Sequence, residues 1–159
     1  MYKRLASQHE HDAFAALNVC SIAMSSYGYR PLHPESHEIR LLQVQKSTDK
    51  SAPITLTLRH ASLDDGQPFN ALSYTWGDET PTTQISIYDS VTLGIVSVRR
   101  NLFEFLEEAC QSTESWSLEW IWIDQISINQ SDHTERCHQV GQMRRLYSVA
   151  QATLVWPYS

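Results

Sequence analysis

Short stretches in which apolar and polar residues alternate predict most of the strands in this chain. The clearest is ITLTLRH, where Ile54, Leu56 and Leu58 alternate with polar residues. A period of two predicts a strand that has one face in contact with water. Less regular patterns predict strands at 39–44 and 71–76, and a hairpin in ISIYDSVTLGIV that turns near Asp89.

Two segments have the residue spacing of a helix. The first runs from about Val98 to Cys110 and has one apolar face, which consists of Val98, Leu102, Phe105, Leu106 and Ala109. The second begins near Asp132, which with Glu135 three residues later forms a capping-box-like start. The side chains expected to line one side of this second helix are Arg136 or Cys137, then Val140, Met143, Tyr147 and Ala150.

Apolar runs lie on both sides of the second helix, at Trp120–Asp124 and Thr153–Trp156. A strand, a helix and a strand at this spacing form a crossover unit, so the two runs should lie parallel in one sheet. Because Trp120 and Trp122 alternate with isoleucines, both faces of the first run should be covered, and we expect both tryptophans in the core.

The composition narrows the class of protein. The length of 159 residues corresponds to about one domain. A net charge of -6, with no basic cluster beyond two arginine pairs, argues against nucleic acid as a partner. Three scattered cysteines suit a reducing cytoplasm, and no run approaches the roughly 18 apolar residues of a membrane span. Residues 1–28 are expected to form a tail or surface helix, with a signal peptide as the alternative.

Two strands end in polar residues, which is where the ligand sites of α/β sheets form. The candidate residues in these two segments are Ser73, Trp76, Gly77, Asp78, Asp124, Asn129 and Glu135. Each also has a structural interpretation. Trp76 followed by Gly77 is typical of a core side chain followed by a turn. Asp124 is typical of an acceptor for backbone N–H groups, and Asn129 of a turn. Glu135 is typical of a helix cap. No group of His and Cys residues has the spacing of a metal site.

Several blocks in a fixed order resemble the HET (heterokaryon incompatibility) domain of filamentous fungi. They are YRPL, IRLLQV, FNALSYTWGDE, SVRRNLFEFLEEA and WIDQISINQSDHTERCHQVGQMRRLYSVAQATLVW, between Tyr29 and Trp156. Ser127 stands where the family usually has Cys, which argues against a thiol nucleophile there. The family also usually continues beyond the last strand, whereas this sequence ends in PYS. We therefore expect residues 29–159 to be a truncated, degenerate or minimal HET-like domain.

The resemblance implies a fold and a function. The fold is α/β, a mainly parallel TIR-like sheet flanked by helices, with an added antiparallel β-hairpin. The function is that of a cytoplasmic effector that triggers cell death in self/non-self recognition, working with a sensor or by self-association. Active TIR-like proteins cleave the nicotinamide-ribose bond of NAD with a glutamate near a helix start. This implies Glu135 as the catalytic residue and NAD as a substrate, with no cofactor. The alternatives are a non-enzymatic signalling module and an inert partial domain.

Overall fold

The computed structural model describes residues 25–77 and 80–157. The strands are β1 (Glu38–Val44), β2 (Thr55–Ser62), β3 (Asn70–Tyr74), β4 (Thr83–Tyr88), β5 (Leu93–Val98), β6 (Ile121–Trp122) and β7 (Ala152–Trp156). The helices are α1 (Arg100–Gln111), α2 (Asp124–Ser127) and α3 (His133–Val149). Short 3-10 turns occur at Pro34–Ser36, Leu63–Asp65 and Ser115–Leu118. The tail predicted for residues 1–28 lies mostly outside the described residues, and the domain division at residue 29 stays a prediction.

The seven strands form one mixed sheet in the order β5-β4-β2-β1-β6-β3-β7. The prediction of a mainly parallel sheet is wrong, because the two most extensive strand pairings, β1 with β2 and β4 with β5, are both antiparallel. A short connection returns the chain beside the strand it has just left and so makes an antiparallel pair, whereas a parallel pair needs a long crossover. The predicted antiparallel hairpin is confirmed in β4 and β5.

Three neighbouring strands, β6, β3 and β7, are parallel to one another. The central strand β3 pairs with β6 through Asn70 and Ala71, and with β7 along its whole length. The predicted parallel arrangement of the apolar runs on either side of α3 is therefore confirmed. The first run is a shorter strand than predicted, since β6 has two residues and α2 begins at Asp124.

Apolar side chains cover both faces of the sheet. Leu102, Phe105 and Leu106 of α1 belong to one buried cluster, and Leu146 of α3 belongs to the other together with Trp122. The predicted apolar face is confirmed for Leu102, Phe105, Leu106 and Ala109, whereas Val98 is buried but belongs to β5. The expectation that both tryptophans lie in the core holds for Trp122, which is fully buried. Trp120 is partly buried, and the guanidinium of Arg59 stacks on its ring.

The apolar stripe predicted for α3 is wrong in part. Val140 is 60% exposed, and the residues that α3 buries are Gln139, Gln142 and Leu146. The two glutamines are turned inward because their side-chain amides donate to the backbone carbonyl of Glu38. A polar side chain with a buried partner can thus replace an apolar one on the packing face.

The described residues contain no helix long and apolar enough to cross a membrane. The location in the cytoplasm stays a prediction.

Candidate functional site

The ends of β3 and β6 lie side by side because the two strands are parallel neighbours. The chain leaves β3 at Tyr74 and continues through Trp76 to Gly77, and it leaves β6 at Trp122 and reaches Asp124 two residues later. Loops that follow the carboxyl ends of parallel strands converge at one edge of the sheet. This geometry brings together two of the predicted site residues, Trp76 and Asp124.

Trp76 and Asp124 are joined by a direct hydrogen bond. The indole Nε1 of Trp76 donates to Oδ2 of Asp124 at 2.8 Å, and the other carboxylate oxygen accepts from the backbone N–H of Gln125 at 2.7 Å. The guanidinium of Arg99 stacks on the indole of Trp76, 4.7 Å from the ring centroid. The predicted site residue Gly77 follows with a φ of 72°, a left-handed conformation that glycine adopts without strain.

Asp124 lies in a partly apolar setting with neutral hydrogen-bond donors. Burial raises the pKa of the Asp124 carboxyl above its ordinary value, while the hydrogen bonds from Trp76, Gln125 and Tyr74 and the positive charge of Arg99 oppose that rise. The hydroxyl of Tyr74 also lies 3.1 Å from Oε1 of Gln125. Burial and the nearby Asp124 raise the pKa of Tyr74, so this phenol stays protonated and acts as a donor.

Glu135 occupies a different environment. Its carboxylate accepts from both terminal nitrogens of Arg40, at 2.6 and 3.0 Å, and from the backbone N–H of Asn129 at 2.7 Å. The Glu135 side chain is 9% exposed and that of Arg40 is fully buried. The two-pronged contact is the strongest geometry for an arginine and a carboxylate. The charge of Glu135 is therefore balanced by a cation in direct contact.

Arg40 is the residue in this region that the sequence analysis missed. It also donates to the backbone carbonyls of Ser127, at 3.0 Å, and Arg30, at 2.7 Å. Its guanidinium lies 4.8 Å from the ring centroid of Tyr29, whose pKa burial raises to about 12. Arg40 thus connects the segment before β1, the loop after β6 and the start of α3. The only sequence signal was a charged residue between Ile39 and Leu41, two side chains of a buried strand.

One of the two hydrogen bonds of the predicted capping box forms at the start of α3. The Asp132 side chain accepts from the backbone N–H of Glu135 at 3.0 Å, as expected for an N-cap. The reciprocal contact, from the Glu135 carboxylate to the Asp132 N–H, is replaced by the Arg40 ion pair. Glu135 therefore pairs with Arg40 instead of folding back onto its own helix.

The remaining predicted residues have separate positions. Ser73 is exposed on β3. Asn129 donates its backbone N–H to Glu135, and its side-chain oxygen accepts from the N–H and hydroxyl of Ser131, which is the pattern of a turn. Asp78 lies outside the described residues. Their assignment as substrate-binding residues stays a prediction.

Ser127, at the position where the family usually has Cys, lies at the end of α2. Ser127 is fully buried, and its hydroxyl accepts from the backbone N–H of Ile123 at 3.1 Å. This contact gives the side chain a structural role at the start of α2.

Across residues 25–77 and 80–157, no group of three or more His, Cys, Asp and Glu side chains is placed to hold a metal ion.

The fold and the site define a mixed α/β domain in which a carboxylate and an indole meet at the carboxyl ends of three parallel strands. The chain belongs to the heterokaryon incompatibility protein (HET) family, whose model matches residues 69–159. It is also similar to heterokaryon incompatibility protein 6, OR allele, of Neurospora crassa, with 30% identity over 158 residues. That alignment covers 96% of this chain and 22% of the relative. No solved structure matches the chain.

Proposed function

We propose that this chain is the effector domain of a fungal heterokaryon incompatibility system, which triggers cell death by cleaving the nicotinamide-ribose bond of NAD. Membership of the HET family supports the incompatibility role. The hydrogen-bonded pair of Trp76 and Asp124 is the observation that carries the chemical part of the proposal. It lies at the edge of the sheet where ligands of parallel α/β sheets bind.

The residues at this edge match the demands of the reaction. The nicotinamide ring of NAD is positively charged and leaves as a neutral molecule, so the enzyme need not donate a proton. The ribose left behind develops positive charge, which a nearby carboxylate stabilises. Arg99 stacks on one face of the Trp76 indole, and the other face is the aromatic surface proposed for the nicotinamide ring. Asp124 offers a carboxylate whose hydrogen-bond donors are neutral.

The test is incubation of the purified full chain with NAD, followed by chromatographic measurement of free nicotinamide. The assay is run in dilute buffer and again under crowding, because effector domains can depend on assembly. We expect nicotinamide to accumulate with enzyme concentration and time. No release under either condition would overturn the NAD proposal.

A second mechanism, signalling by protein contact alone, is favoured by one observation. The Glu135 carboxylate that the resemblance implies as catalyst has its charge balanced by Arg40. An effector that works by contact would cause cell death on expression in fungal cells without any loss of NAD. Measuring cell death and cellular NAD in the same culture separates the two mechanisms, because only cleavage predicts that NAD falls before viability does.

A further inference from the structure

Glu135 and Asp124, two of the carboxylates that follow β6, differ in what surrounds their charge. Glu135 is held by the guanidinium of Arg40 through two hydrogen bonds, at 2.6 and 3.0 Å. Asp124 accepts hydrogen bonds from the indole N–H of Trp76 and the backbone N–H of Gln125, which carry no net charge. The charge of Arg99, whose guanidinium stacks on that indole, also acts on Asp124. A carboxylate stabilises a developing positive charge only to the extent that its own charge is not already balanced.

Position also distinguishes the two carboxylates. Glu135 lies toward β1, because its partner Arg40 is on that strand, and β6 separates β1 from β3 in the sheet. Asp124 lies between the ends of β6 and β3 and contacts Trp76. The aromatic surface expected to receive the nicotinamide ring is therefore beside Asp124.

We propose that Asp124, and not Glu135, is the catalytic carboxylate of this domain, while Arg40 and Glu135 hold the loop that carries it. The inference rests on the proposed function of NAD cleavage. A hydrogen bond from the side-chain amide of Gln130 to the Asp124 carbonyl, at 2.9 Å, connects the Glu135 side of this loop to Asp124.

The step can be written with every atom placed. The bond between C1′ of the ribose and the nicotinamide nitrogen breaks, and its electron pair goes to the nitrogen, so neutral nicotinamide leaves. Asp124 stabilises the oxocarbenium ion that remains. A water oxygen then bonds to C1′ and loses a proton, which the Asp124 carboxylate accepts and passes to solvent. Burial, which raises the pKa of Asp124, makes this carboxylate a better acceptor for that proton.

The experiment compares Asp124→Asn with a matched acidic control in the same loop, Asp132→Asn. Asparagine at position 124 can still accept from the Trp76 indole but carries no charge. Asparagine at position 132 is as good a helix cap as aspartate, so this variant should fold and keep its activity. We expect Asp124→Asn to lower kcat by about a hundredfold or more, the effect of removing a central electrostatic group. Asp132→Asn should stay within about threefold of the unmodified chain.

Glu135→Gln completes the comparison and is assayed only after circular dichroism shows that it is folded. If it is folded, it should keep kcat within about tenfold, and the acidic limb of its pH-rate profile should match that of the unmodified chain. That limb should disappear in Asp124→Asn. A loss below tenfold in Asp124→Asn would overturn the assignment, whether or not Glu135→Gln folds. Absence of nicotinamide release from the unmodified chain would instead overturn the proposed function.

Discussion

Removing one partner of the ion pair between Arg40 and Glu135 should destabilise the domain more than any single surface change. In Arg40→Met, the Glu135 carboxylate, which is 9% exposed in the unmodified chain, loses the cation that contacts it. The backbone carbonyls of Ser127 and Arg30 also lose a donor. Breaking a buried ion pair from one side costs about 3–5 kcal/mol, which is a large part of the roughly 5–15 kcal/mol that stabilises a typical domain.

Urea unfolding followed by circular dichroism measures this loss. With a slope of about 2 kcal/mol per molar urea, a loss of about 4 kcal/mol lowers the midpoint by about 2 M. The double variant Arg40→Met/Glu135→Leu removes both charges together. Its loss should be smaller than the sum of the two single losses by about 2–3 kcal/mol, since no unpaired charge remains buried.

The exposed pair of Arg100 and Glu104 provides the control. These side chains are one helical turn apart, with 2.9 Å between Nε and Oε1, and the Arg100 side chain is 75% exposed. Arg100→Ala should cost less than about 0.5 kcal/mol, because water screens the pair. If Arg40→Met also cost less than about 1 kcal/mol, or if the double variant equalled the sum of the single ones, the central role given to this ion pair would be refuted.

Three further substitutions test other parts of the fold. A Cβ on Gly94 would lie 2.6 Å from the Cα of Tyr27, so Gly94→Ala should cost about 1–3 kcal/mol in urea unfolding. At Gly141, where a Cβ meets nothing within 4 Å, the same change should stabilise α3 by about 0.5–1 kcal/mol. Burial lowers the pKa of His60 below its ordinary value. The unfolded chain therefore binds this proton more readily, and stability present above about pH 6.5 should fall as the pH drops through the folded pKa. His60→Gln should reduce the difference in stability between pH 7.5 and 5.5, and an unchanged difference would contradict this assignment.

Local patterns predicted most of the elements, but they predicted strand directions only for the hairpin of β4 and β5 and for the strands on either side of α3. The hairpin of β4 and β5 and the helix α1 were predictable because each shows its periodicity within about a dozen residues. The relative direction of β1 and β2 depends on how the connection between them folds, and periodicity carries no information about that. The prediction of a mainly parallel sheet therefore rested on the resemblance to a parallel fold, and the antiparallel pairing of β1 with β2 contradicts that prediction.

Contacts between site residues could be predicted from the sequence only where the arrangement of the strands could also be predicted. Asp124 and Trp76 meet because β6 and β3 are parallel neighbours, and polar residues at two strand ends were enough to indicate that edge. Arg40 and Glu135 are 95 positions apart, and a single arginine in an alternating strand is ordinarily read as a solvent-facing residue. The same limit applies to Gln139, whose inward position depends on a backbone carbonyl of Glu38.

The surroundings of Asp124 and Glu135 determine which of these two carboxylates can stabilise positive charge on a substrate. The sequence places Asp124 and Glu135 after the same strand, and the resemblance implies a role for Glu135 from its position at a helix start. Position alone does not determine the charge that a substrate would experience. That charge depends on the counter-ion, and Arg40 reaches Glu135 and not Asp124. A motif glutamate with a buried arginine partner therefore fits a positioning role, and the carboxylate held by neutral donors fits the chemical one.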